Sequence, residues 1–62
     1  PISRVKSYLS KKQAEIDPTT WQVITNIQNQ EDLDELVSNK EAYKSSGVDV
    51  DALLEYFGQI PK

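Results

Sequence analysis

Arg4, Lys6, Lys11 and Lys12 fall within the first twelve residues with no acid among them, a local charge of +4. Cations so grouped suit phosphate oxygens, a membrane surface or an acidic partner. The rest of the chain holds three lysines against ten acids, a local charge of −7. Glu31, Asp32, Asp34, Glu35, Glu41, Asp49, Asp51 and Glu55 are the acids that could imitate a phosphate ladder and occupy a nucleic-acid-binding protein by electrostatic complementarity. A net charge of −3 is mild for such a mimic. Asp49-Val50-Asp51 is a fragment of a calcium loop, without the mid-loop glycine and closing acid that such a loop needs. Trp21, Tyr8, Tyr43, Tyr56 and Phe57 are many large rings for 62 residues. Trp and Tyr are enriched among the residues that dominate interface energies, so their chemistry is contact rather than catalysis.

The residues that are missing exclude more than the residues present assign. There is no Cys, no His and no Met. No disulfide framework, zinc site of the usual ligands, thiol nucleophile or Ser-His pair can be built. No metal and no cofactor is expected. A chain of 7.0 kDa can hardly enclose a ligand pocket of the usual ~300–1,000 Å³, so the expectation is a non-enzyme. No apolar run approaches the ~20 residues that cross a bilayer, so no membrane contact is expected. The start Pro1-Ile2-Ser3-Arg4-Val5-Lys6 is too polar for a signal peptide, and cytoplasmic location is the default expectation. Pro1 fits either removal of an initiator Met or excision from a longer chain.

Four segments carry helix punctuation. The first spans about Ser3 to Glu15, with Ile2, Val5, Leu9 and Ile16 near helical spacing and the cations largely on the other side. Pro18 stops it, because the residue before a proline is driven out of helical geometry. The second opens either with Asp17 as cap and Pro18 in the first turn, or with a Thr19-x-x-Gln22 capping box. It carries Trp21, Ile24 and Ile27 on one face and frays where side-chain amides at Asn26, Gln28 and Asn29 compete for the backbone. The third starts near Asn29 or Gln30, with acids in its first turns and Lys40 and Lys44 toward its end, which matches the helix dipole. It either continues to about Ser45 or stops near Asn39 and turns. Gly47 offers a left-handed cap. The fourth is capped by Asp49, stapled by Val48 on Leu53, striped by Val50, Leu53, Leu54 and Phe57, and ended by Gly58 and Pro61. A short strand through Val48-Val50 is the weaker alternative.

The predicted architecture is all-α: a compact bundle of three or four short helices forming one domain over residues 1–62. Trp21 and Phe57 are expected inside. Ala52, Tyr56 and Ile60 make a second apolar edge on the last helix, wider than a small bundle covers alone. The expected function is therefore a non-enzymatic protein–protein interaction module: an adaptor, regulator, inhibitor or accessory subunit. Its partner is another protein or a second copy of the chain. Tyr56, Ile60, Tyr8, Tyr43 and Trp21 are the candidate contacts, framed by acids. The alternative is a nucleic-acid-associated protein that meets phosphates through Arg4, Lys6, Lys11 and Lys12. It is disfavoured, because four charges give only salt-sensitive affinity. A helix-turn-helix would also present Glu31, Asp32, Asp34 and Glu35 to the major groove. A third expectation is a piece of a larger assembly.

Tyr8-Leu9, Trp21, Glu31-Asp32-Leu33 and Leu54-Glu55-Tyr56-Phe57 together resemble the FF domain, a small helical peptide-binding module, over most of the chain. The chain departs from it in three ways. Tyr8 stands where the first Phe would be, the Asp-Pro-Arg element is absent, and the third and fourth segments lie farther apart. No FF site residue or partner is carried over.

Overall fold

Three helix starts in this protein are set by short polar side chains that take up a free N–H group of the first turn. The computed structural model describes residues 2–58. Five α-helices follow one another: α1 (Ile2–Ser10), α2 (Pro18–Asn26), α3 (Gln30–Ser38), α4 (Lys40–Ser45) and α5 (Val50–Tyr56), with a short 3-10 turn at Gln13–Glu15 before α2. Asp17 caps α2, with Pro18 at the first helical position, so the Asp17 start prevails over the Thr19 capping box. Asn29 caps α3 by accepting the Asp32 N–H at 2.8 Å, and the Asp32 carboxylate reaches back to the Gln28 N–H at 2.9 Å. Asp49 caps α5 by accepting the Ala52 N–H at 3.2 Å.

The fold is all-α, and no strand forms among the described residues. One boundary and the helix count differ from the sequence reading. The first helix ends at Ser10 rather than near Glu15, and Lys12 and Gln13 lie where its apolar stripe was already interrupted. The third segment does not run unbroken to Ser45 but stops and turns near Asn39, the second of the two expected courses, and a further helix then follows. It breaks at Asn39, whose side-chain amide donates to the Glu35 carbonyl at 3.0 Å, and then resumes as α4. That split makes five helices where three or four were expected. The end of α4 carries a complete left-handed closure. Gly47 sits at φ +94°, its N–H donates to Lys44 O, and the Val48 N–H donates to Tyr43 O.

The core is one cluster: Leu9, Ile24, Ile27, Leu33, Leu36, Val48, Val50, Leu53 and Leu54. α2 packs on α5, and α4 on both α3 and α5. Trp21 and Phe57, expected inside, are only half-buried and pack against the edge of this cluster. Aliphatic side chains fill the centre of a molecule 27 × 24 × 22 Å in extent, and the larger rings are left at its margin. Among the described residues, no helix is long and apolar enough to cross a membrane.

Candidate interaction surfaces

The 3-10 turn and the first turn of α2 form two walls of an open depression of about 610 Å³, lined by Gln13, Ala14, Ile16, Pro18 and Trp21. Its lining is mostly apolar, and Trp21 is its largest side chain. Glu15 and Asp17 alternate with Ala14, Ile16 and Pro18 along the chain, and both are exposed, so acids edge the apolar surface.

A buried hydroxyl fixes this corner. Thr20 is 1% exposed and is the one buried polar side chain of the described residues. Its Oγ1 donates to Asp17 Oδ1 at 2.7 Å and accepts the Asp49 N–H at 2.9 Å, while its own N–H donates to Asp17 Oδ2 at 3.0 Å. The cap of α2 is thereby tied to the cap of α5, 29 residues away. The Thr20 hydroxyl, and then its N–H, hold the Asp17 carboxyl below its ordinary 3.8. These bonds bias Asp17 toward its charged form at the edge of the depression.

The outer face of α1 has different chemistry. Ile2, Val5 and Leu9 point inward, while Arg4, Ser7, Tyr8 and Lys11 are exposed. Tyr8, at 56%, is the most open large apolar side chain of the described residues. The chain tightens after Ser10, with Lys11 N–H to Tyr8 O and Lys12 N–H to Leu9 O. Lys12 Nζ comes 5.4 Å from the Tyr8 ring centre, within cation–π range. Lys6 turns the other way and donates to the Thr25 carbonyl at 3.1 Å, in the last turn of α2 where a cation suits the helix dipole. Of the four cations read as phosphate contacts, Lys6 is thus engaged within the fold and Arg4, Lys11 and Lys12 remain at the surface. Among the described residues the ion pair is Lys44–Asp51 at 3.6 Å, which leaves those three without a carboxylate partner.

The candidate contact residues do not share one surface. Trp21 lines the depression just described, and Tyr43 lines a smaller one with Val23, Asn26, Ile27, Asp32, Glu35 and Leu36. Tyr56, expected as an exposed contact, is half-buried against the core. Within α5 only Asp51 and Glu55 are exposed, while Ala52 and Tyr56 are half-buried, so the second apolar edge is partly covered within the described residues. Ile60 lies outside the described residues. The sequence reading missed Ala14, Ile16 and Pro18 as neighbours of Trp21, although the Pro18-Trp21 spacing already placed Pro18 on the same first turn as Trp21. It also missed Thr20, whose bond to Asp49 has no local signature.

Compared with protein-family models, curated proteins and solved structures, this chain matches none.

Proposed function

We propose that this protein is a non-enzymatic protein–protein interaction module that docks its partner at the Trp21 depression. The observation that carries this reading is a tryptophan half-buried in an open apolar surface edged by Glu15 and Asp17. A tryptophan held in place by the core loses little freedom on binding and offers a large apolar face, the usual make-up of an interface anchor. The carboxylates at the edge select the partner: an apolar side chain flanked by Lys or Arg. Thr20 biases the Asp17 carboxyl toward its charged form, which favours that preference.

The chain has a single Trp, so its emission reports this site alone. The probe is a leucine-striped helical peptide edged with lysine, with a glutamate-edged peptide of the same length as control. The lysine-edged peptide shifts the Trp21 emission at lower concentration than the control does. Ala14→Arg, a change at an exposed position, removes the response without unfolding the chain. Equal response to both peptides, or a response that survives Ala14→Arg, overturns this reading.

A further inference from the structure

With no carboxylate partner among the described residues, Arg4 in α1 and Lys11 and Lys12 in the turn after it frame an aromatic ring that does not serve the core. We infer that the outer face of α1 binds single-stranded nucleic acid, with a base stacked on the open side of Tyr8 and phosphates on Arg4, Lys11 and Lys12. Arg4 lies one turn before Tyr8 in α1 and Lys11 in the turn just after α1, where its N–H donates to Tyr8 O, so the two cations flank the ring along the chain. Lys12 Nζ stands over the ring at 5.4 Å from its centre, and Tyr8 is still 56% exposed, so ring surface remains for a ligand. Ser7, exposed beside them, adds a hydroxyl donor.

This combination separates the candidate occupants. An acidic peptide would satisfy the cations but leave the ring unused. A duplex keeps its bases stacked inside and offers only phosphates, and its length would bring it against the acidic remainder of the chain, with its local charge of −7. A short single strand uses both features, since aromatic stacking tolerates any base and the cations follow the backbone. The acidic body limits the footprint to a few nucleotides. The site is distinct from the Trp21 depression and stands whether or not that depression docks a protein.

The test is fluorescence anisotropy with a labelled oligothymidylate of about eight nucleotides. With three phosphate contacts, affinity falls about twentyfold between roughly 50 and 200 mM salt. Tyr8→Ala weakens binding about five- to tenfold, and Tyr8→Phe restores it, because stacking needs the ring and not the hydroxyl. Arg4→Glu with Lys11→Glu weakens binding further and flattens the salt dependence. Absence of binding at the lower salt overturns the inference, as does binding indifferent to Tyr8→Ala. A blunt duplex binding as tightly as the single strand overturns it too. Displacement by a polyglutamate peptide of equal charge, at equal concentration, reassigns the face to an acidic protein.

Discussion

Tyr8 and Trp21 are both aromatic, both on helices and both at the surface, yet they stand in opposite relations to the fold. Tyr8 projects from the outer face of α1, and the contact that holds its ring is with the Lys12 side chain. Trp21 has one side against the core and the other in an open depression, on a helix whose start is fixed by Asp17 and Thr20. A ring like Tyr8 can change without the fold responding. A ring like Trp21 binds from a fixed position because it is also part of the structure, so its binding and its stability cannot be altered independently.

Truncation distinguishes the two rings most strongly. Trp21→Ala costs about 2–4 kcal/mol in urea unfolding, somewhat less than for a fully buried aromatic. Tyr8→Ala changes it by less than about 0.5 kcal/mol. Equal costs would erase the contrast. Thr20→Val is the next largest change. It keeps the shape but removes the hydroxyl, leaving the Asp49 N–H without its partner, and costs about 1–3 kcal/mol by the same measurement. A cost under about 0.5 kcal/mol would mean that the caps of α2 and α5 are not coupled through it. Tyr56→Ala costs about 1–3 kcal/mol, because half of its ring packs on the core; loss of binding at full stability would return Tyr56 to the set of free contacts.

Acid gives the smallest effect and the sharpest assignment. The folded state holds the Asp17 carboxyl below its ordinary value, so its contribution is fully present above about pH 5 and is lost as the pH falls through the lowered folded value. Asp17→Asn retains a good capping side chain, and its unfolding midpoint therefore falls less between about pH 5 and pH 2 than that of the parent chain. Parallel acid limbs would show that Thr20 does not bias Asp17 toward its charged form.

The capping residues and the apolar stripes were legible in the sequence because they act within a few residues. Asp17, Asn29 and Asp49 each take the N–H three residues ahead, and Gly47 closes α4 with a positive φ that few other residues adopt. The break at Asn39 was legible as a weakness in the third stripe but not as a second helix. Whether a backbone resumes a helix after one residue depends on what it packs against, here α3 and α5. The candidate sites were legible as residue types but not as surfaces. Nothing local distinguishes Lys6, tied to Thr25, from Arg4, which is exposed.

Composition and spacing alone determined an all-helical chain, its capped starts, a basic first helix against an acidic remainder, and the absence of thiol and imidazole chemistry. These follow from side-chain properties and from forces acting over one helical turn. Packing alone decided that the second apolar edge of α5 is partly covered, that Trp21 lies at the margin of the core, that Tyr8 stands free, and that Thr20 joins two distant caps. Each depends on which distant segments compete for the same small interior, and that competition is settled only when the helices meet.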